Sequence, residues 1–164
     1  MIPQKVSDFL AKHNLLERVV YFIEPLHHVS DALKFGIDPD QIAKSLTFKD
    51  YSVSEDDPNG FPAILVLFSG EAKVSSGEFK RTFNMNCKML DGEQVYKATG
   101  FKPGGVCPFG IENKNVKIYF DESMKGKSVV TPSCGEEHSS ITLTIQELEN
   151  VVPFSGWVNI SKKG

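Results

Sequence analysis

Apolar and polar residues alternate along this chain with two periods, which together predict short helices placed between strands. Five residues near the start recur at the spacing of one helix face, with proline tolerated in the first turn: Ile2, Val6, Phe9, Leu10 and His13. The β-branched and aromatic run Val19–Ile23 predicts a strand. A short helix is predicted over Val29–Phe35, and another over Asp40–Ala43 runs into a strand at 46–48.

The most apolar segment of the chain is Ala63–Phe68. This run is short enough for a central strand that is buried on both faces. The polar stretch Asp50–Pro62 before it predicts a loop. After it, Ser75–Phe83 and Gln94–Thr99 predict helices, and the second of these ends at Gly100.

Strands predominate in the last third of the chain. Val116–Phe120 alternates as a strand, and further strands are predicted at Val129–Val130 and Ile141–Ile145. A short helix over Gln146–Asn150 and a last strand near Trp157–Ile160 follow. Strands of mixed spacing with short interposed helices predict an α+β fold with a curved or closed mixed sheet.

The composition fits one globular domain. Of the 164 residues, 40% are hydrophobic and 24% are charged, which is ordinary for a chain large enough to bury a core. No apolar run approaches the roughly 20 residues that span a bilayer, and Met1–His13 lacks the apolar stretch of a signal peptide. We therefore expect a cytoplasmic protein with no membrane partner.

Cysteines and histidines form no pattern that indicates a disulfide framework or a metal site. The three cysteines are too few and too widely spaced for either: Cys87, Cys107 and Cys134. The four histidines match no ligand spacing such as HExxH: His13, His27, His28 and His138. We expect no metal and no cofactor.

The net charge of −3 is unevenly distributed. Residues 1–70 carry 6 Lys/Arg against 10 Asp/Glu, residues 71–127 carry 10 against 7, and residues 128–164 carry 2 against 4. A basic middle region can contact phosphates whatever the total charge, with an affinity that depends on salt. An ordinary solvated surface is the alternative. The basic residues concerned are Lys73, Lys80, Arg81, Lys88, Lys97, Lys102, Lys114 and Lys117.

The stretch Gly104–Gly110, with the sequence Gly-Gly-Val-Cys-Pro-Phe-Gly, is the strongest candidate for a functional loop. Its glycines permit a positive φ or a close approach to a ligand, and Pro108 stiffens the loop. The backbone N–H groups of Gly105, Val106 and Cys107 would then be available to a carbonyl or a developing oxyanion. A tight turn between two sheet elements is the alternative.

Lys44 is the second candidate. It is flanked by apolar residues where the predicted helix meets the strand, so its ammonium can enter a cleft and attract a phosphate or carboxylate. Partial burial would lower its pKa. The alternative is a surface lysine whose stem covers apolar neighbours.

The sequence offers no convincing nucleophile. Cys107 would need an activating cation or base that the sequence does not supply, so a buried packing role is favoured. His138 follows Cys134–Glu137 in a polar loop and is expected at the surface. No Ser-His-Asp order or paired-carboxylate motif is present. The pattern favours a site that positions a reactive substrate without attacking it.

Taken in order, four stretches resemble the YbaK/ProX family, the aminoacyl-tRNA editing domains that are also inserted in bacterial prolyl-tRNA synthetases. They are Asp38–Leu46, Ala63–Gly70, Gly104–Gly110, and Cys134–Gly135 followed by Ile141–Thr144. The resemblance covers residues 5–160, and its most specific feature is the Lys-Ser-Leu junction followed later by Gly-x-x-x-Pro. It implies a single domain with a mixed, barrel-like curved β-sheet surrounded by short helices.

The resemblance also implies an activity, that of a freestanding aminoacyl-tRNA deacylase that hydrolyses mischarged tRNA in trans. Mischarged aminoacyl-tRNA would be its partner, with an aminoacyl-tRNA synthetase as a further candidate and no role for DNA or a metal. Lys44 matches the lysine that holds the terminal-adenosine phosphate. A loop in this family holds the aminoacyl carbonyl by its backbone. The residues that match this loop are Gly104, Gly105, Val106, Cys107 and Pro108.

In this family the substrate's ribose 2′-hydroxyl helps to align the attacking water. This agrees with the absence of a convincing nucleophile in the present sequence. The same resemblance implies further substrate-binding residues: Ile23, Phe48, Phe109, Gly110, Cys134, Gly135 and His138.

Departures from the family pattern leave the amino acid open. Some members carry a tyrosine or histidine after the first strand and an aspartate after the second glycine motif, where this chain has Ile23–Pro25 and Glu137–Ser140. Cys107 replaces a serine that is frequent there. Alanine, cysteine, serine and threonine are all candidates, first on tRNA for proline. The alternative function is a non-catalytic module that binds aminoacyl-tRNA, an aminoacyl-adenylate-like ligand or a protein partner.

Overall fold

The computed structural model describes residues 1–25 and 29–162, and eight strands and four α-helices lie within them. The strands are β1 (Val20–Tyr21), β2 (Ala43–Phe48), β3 (Ala63–Ser69), β4 (Val116–Asp121), β5 (Val129–Val130), β6 (Ser139–Ser140), β7 (Leu143–Thr144) and β8 (Gly156–Val158). The α-helices are α1 (Gln4–Lys12), α2 (Ser76–Phe83), α3 (Gly92–Thr99) and α4 (Ile145–Val151). Short 3-10 helices cover Leu16–Arg18, Val29–Phe35, Pro39–Gln41 and Glu122–Met124.

A four-stranded mixed sheet in the order β2-β3-β4-β8 forms the centre of the fold. The β2–β3 pair is antiparallel, and the β3–β4 and β4–β8 pairs are parallel. Two smaller antiparallel pairs, β1–β6 and β5–β7, flank it, and a bridge between Ile42 and Thr131 joins the start of β2 to β5. The predicted α+β fold with a mixed sheet is confirmed, although the four-stranded sheet is open and not closed.

The sheet separates two apolar cores, and β3 contributes to both because its side chains alternate between the faces. Leu65 and Leu67 pack in the core with α1 and α4, whereas Val66 and Phe68 pack in the core with α2. Every residue of β3 is buried, as its continuous apolar sequence predicts. β2 therefore pairs with a strand whose side chains are packed on both faces of the sheet.

Several element predictions are wrong in their bounds, and tertiary contacts explain the differences. The helix predicted over Asp40–Ala43 is a 3-10 turn at Pro39–Gln41, because Ala43 already pairs with Ser69 in the sheet. The strand predicted at Val19–Ile23 contains only β1. The predicted strand Ile141–Ile145 gives way to α4 after Thr144, whose side chain accepts from the Glu147 N–H and caps the helix.

The described residues contain no helix that is both long and apolar enough to cross a bilayer. Within the same residues, no group of three or more His, Cys, Asp or Glu side chains is arranged to hold a metal ion. His27 and His28 lie outside the described residues.

Candidate functional site

A cavity of about 310 Å³ opens beside the first half of β2. Its wall is formed by residues from three parts of the chain that are far apart in sequence. They are residues 42–46, Gly104 and Val106, and a third group made of Thr131, Ser133, Glu136, Glu137, Ser139 and Ser140. The cavity thus brings together Lys44 and part of the stretch Gly104–Gly110, called the glycine loop below.

Lys44 is the second residue of β2 and not, as predicted, a residue at a helix-to-strand junction. Its cross-strand partner is Phe68, whose side chain is fully buried, so the lysine begins on an apolar face near the end of the sheet. Its Nζ donates a hydrogen bond of 2.5 Å to the Ala72 carbonyl. Partial burial lowers the pKa of Lys44, and the nearby charge of Lys73 lowers it further.

The glycine loop turns at Gly104, whose φ is +89°. Gly105 does not offer its N–H to a ligand as predicted, because that group donates to the Lys102 carbonyl at 3.0 Å. The N–H groups of Val106 and Cys107, by contrast, donate to no other described residue. The Val106 carbonyl accepts from the Ser133 hydroxyl at 3.1 Å, which fixes the peptide that precedes Cys107.

Gly105 is a glycine because two loops meet there backbone to backbone. A Cβ at this position would lie 2.8 Å from the Gly135 oxygen and 2.9 Å from the Glu136 Cα. Gly135, with a φ of +94°, is packed in turn against Pro3 and Val6 of the N-terminal segment. The close approach therefore sets the distance between two walls of the cavity.

Cys107 and Cys134 are packing residues in this structure. Both are fully buried in the core that contains α1. The Cys107 Sγ lies 3.9 Å from the Phe109 carbonyl oxygen, and burial raises the pKa of its thiol to about 12. Burial also raises the pKa of Cys134. Neither side chain is a thiolate at neutral pH, so neither is prepared to act as a nucleophile.

Two polar atoms in residues lining the cavity are buried without a hydrogen-bond partner among the described residues: Ser45 Oγ and Glu136 Oε1. The second Glu136 oxygen accepts from the His138 N–H at 2.5 Å. Leaving such an atom unsatisfied costs about 1–3 kcal/mol. These residues contribute polar groups to the wall of the cavity. These residues are unremarkable in sequence apart from the small polar run beside His138.

The candidates Ile23, Phe48, Pro108, Phe109 and Gly110 do not line the cavity. Ile23 is 97% exposed, and Phe48 is 0% exposed in the core on the α2 side, so neither lines the cavity. Phe109 and Pro108 are buried, with Phe109 packed against Phe9 of α1. The Cβ position of Gly110 lies 2.5 Å from the Lys5 carbonyl oxygen, which explains why that residue is glycine.

His138 is half-buried and not at the open surface as predicted. Its Nδ1 lies 3.2 Å from the Phe22 carbonyl oxygen, and its own carbonyl accepts from the Phe22 N–H at 2.7 Å. With Gly105 and Gly135, it lines a second cavity of about 450 Å³, on the other side of the glycine loop. Glu136 and Glu137 line both cavities.

The sequence model of the aminoacyl-tRNA editing domain matches residues 24–151, and the chain belongs to this family. The resemblance to YbaK/ProX proteins is thereby confirmed. YwhH of Bacillus subtilis (strain 168), an uncharacterized protein, is 34% identical over 127 residues, which are 77% of this chain and 75% of the relative. The prolyl-tRNA editing protein ProX of Acetoanaerobium sticklandii is 21% identical over 157 residues, which are 93% of this chain and 88% of the relative.

Solved structures share the whole architecture. A proposed trans-editing enzyme for prolyl tRNA synthetase has a TM-score of 0.81 and 24% identity, with 98% of this chain and 96% of that chain covered. The hypothetical protein APE2540 has a TM-score of 0.79 and 19% identity, with 96% and 99% covered. At these identities the likeness establishes the fold alone.

Proposed function

We propose that this protein is a deacylase that hydrolyses the ester bond of mischarged aminoacyl-tRNA in trans. The observation that carries the proposal is the convergence of Lys44 and the Val106 segment on one cavity, in a chain of the aminoacyl-tRNA editing family. The cavity would receive the aminoacylated end of the tRNA. Such an activity would place the protein in the cytoplasm, where an aminoacyl-tRNA synthetase is a further candidate partner.

In the proposed mechanism, Lys44 binds the phosphate of the terminal adenosine. The Val106 and Cys107 N–H groups stabilise the negative charge that develops on the carbonyl oxygen when water attacks. The ester C–O bond then breaks, releasing the free amino acid and a tRNA with a free 3′ end. The ester is intrinsically labile, so orientation of the water, aided by the ribose 2′-hydroxyl, supplies the remaining acceleration.

The proposed substrates are small amino acids attached to the wrong tRNA, first tRNA for proline. The names of the ProX relative and of the structural neighbour support that tRNA. The cavity is lined in part by hydroxyl and carboxylate side chains, which suit a polar group close to the ester. Alanine, cysteine, serine and threonine are the amino acids to test.

The direct test is a hydrolysis assay with tRNA for proline charged with each of these four amino acids, and with proline as the matched control. We expect at least one of the four to be hydrolysed well above its rate in buffer, while the proline ester persists. If all four persist, the deacylase proposal is wrong. Tight binding of a non-hydrolysable aminoacyl-adenosine analogue in that case would indicate the non-catalytic module.

The Cys107→Ser variant is expected to retain hydrolysis within about threefold of the wild type, because the backbone N–H remains and the thiol takes no part. The matched control is Cys87→Ser, which changes a half-buried cysteine outside the cavity wall. The measurement is hydrolysis of charged tRNA by each variant. Loss of turnover in folded Cys107→Ser, together with an acid-trapped aminoacyl thioester seen by mass spectrometry, would establish covalent catalysis instead.

A further inference from the structure

Two lysines on neighbouring segments lie opposite each other although their charges repel. Val74 and Ser161 form an isolated antiparallel bridge, so Lys73 and Lys162 lie directly opposite each other, and the Lys162 N–H donates to the Lys73 carbonyl at 2.7 Å. Side chains at opposite positions of an antiparallel pair project to the same side, with Cβ atoms about 5 Å apart. Like charges placed in this way destabilise the pair unless an anion lies between them.

The pair is connected to Lys44 through the backbone. Lys44 Nζ donates to the carbonyl of Ala72, the residue before Lys73. The Lys73 charge is close enough to lower the pKa of Lys44, as noted above. Lys73 therefore links Lys44 to Lys162 in this series of contacts.

Both lysines of the pair are available to a ligand. Their residues are exposed, and no ion pair to either is found within residues 1–25 and 29–162. Other cations near the sheet are compensated, as in the pairs Lys117–Asp50 and Lys127–Asp40. Among the described residues, neither Lys73 nor Lys162 has such a partner.

We propose that Lys73 and Lys162 bind phosphates of the single-stranded 3′ end of tRNA, upstream of the phosphate that Lys44 holds. This inference rests on the proposed function, because it assumes that the aminoacylated end occupies the cavity. Lysine ammonium groups contact phosphates without reading bases. The pair would therefore contribute equally to different tRNAs, and selection of the amino acid would be left to the cavity.

The test compares the double variant Lys73→Ala/Lys162→Ala with Lys88→Ala/Lys114→Ala. The control removes the same charge from two exposed lysines of the same basic middle region that lie outside the cavity wall, and no ion pair to either is found in the described part of the chain. Lys88 lies beside Lys49 after the end of β2, and Lys114 precedes β4, so both are at the end of the sheet away from Lys44. The measurement is the Kd for uncharged full-length tRNA as a function of NaCl concentration.

We expect the Lys73→Ala/Lys162→Ala variant to bind tRNA about 10-fold more weakly, with a slope of log K against log salt that is smaller by about 1.4, or about 0.7 for each lost phosphate contact. Each single variant should lower the slope by about 0.7, which is half of the change expected for the double variant. The control should match the wild type. Hydrolysis of a small substrate, 3′-aminoacyl-adenosine 5′-phosphate, should be unchanged in both double variants because it reaches only Lys44.

The outcomes separate this inference from the proposed function. Equal slopes for the two double variants would overturn the inference while leaving hydrolysis by the wild type intact. The expected slope difference in a protein that hydrolyses no ester would support the inference and contradict the deacylase proposal. Absence of tRNA binding by the wild type would overturn both.

Discussion

The Lys44→Ala variant is expected to hydrolyse mischarged tRNA about 10- to 100-fold more slowly than the wild type, measured as kcat/KM. A charge-assisted hydrogen bond to a phosphate contributes about 1.5–3 kcal/mol, and about 1.4 kcal/mol corresponds to a factor of ten. The half-buried ammonium of Lys44 is well suited to such a bond, because it is already partly desolvated at the cavity wall.

The variant is also expected to remain folded. Within the described residues, the Lys44 ammonium donates only to the Ala72 carbonyl, and β2 stays paired with β3 through its backbone. The control is Lys49→Ala, which removes a lysine just beyond β2 whose Nζ is 4.0 Å from Glu55 and outside the cavity wall. That control should hydrolyse at the wild-type rate.

A pair of small substrates tests the role of Lys44 directly. Wild type and Lys44→Ala should differ on 3′-aminoacyl-adenosine 5′-phosphate and be equal on 3′-aminoacyl-adenosine, which lacks the phosphate. A folded Lys44→Ala protein with wild-type activity on charged tRNA would remove this residue from the mechanism. An equal loss of activity on both small substrates would show that Lys44 acts on something other than the phosphate.

The Gly105→Ala variant is expected to lose at least about 10-fold in hydrolysis and about 1–3 kcal/mol in the free energy of unfolding. The new Cβ would lie 2.8 Å from the Gly135 oxygen and 2.9 Å from the Glu136 Cα. Both neighbours are backbone atoms, so the two loops must separate. Since Val106 and Glu136 lie on the two sides of this contact and line the cavity, the separation displaces the groups that would hold the carbonyl.

Thermal unfolding measured beside the hydrolysis assay distinguishes a displaced site from an unfolded protein. For a chain of this length, the expected loss lowers Tm by about 2–4 °C for each kcal/mol. The control is Gly77→Ala in α2, where the new Cβ has only the Arg81 side chain nearby, at 3.7 Å, and where alanine favours the helix. Wild-type activity in Gly105→Ala would mean that the spacing of the loops does not determine the geometry of the site.

The sequence predicted the parts of the fold that depend on local pattern. The buried strand at 63–68 followed from an uninterrupted apolar run, and α3 followed from its periodicity and from Gly100, which ends it with a φ of +80°. The position of Lys44 did not follow, because Pro39 and Asp40 favour the start of a helix. Pairing of Ala43 with Ser69 limits that helix to one 3-10 turn, and this pairing depends on a segment far along the chain.

The site was predictable where unusual residues stand together, and not where ordinary residues meet in space. The glycine loop was evident from its composition. Ser45, Glu136 and Ser139 are unremarkable in sequence, and become a polar wall only because strands β2 and β6 and the loop before β6 border the same cavity. The hydrogen bond from the Gly105 N–H to the Lys102 carbonyl was likewise not predictable, because it depends on the path of the turn.

Lys44 lies on a strand of the central sheet, whereas Val106 and Glu136 lie on loops, so in the proposed function the contact to the phosphate and two contacts to the amino acid belong to different kinds of element. The phosphate is common to every charged tRNA, and its proposed ligand is placed on a strand that pairs with β3 along its whole length. The amino acid varies, and two of the residues that line its proposed pocket, Val106 and Glu136, lie outside the strands. Editing preference can therefore be redesigned in the loops while the anchor for the nucleic acid stays in place.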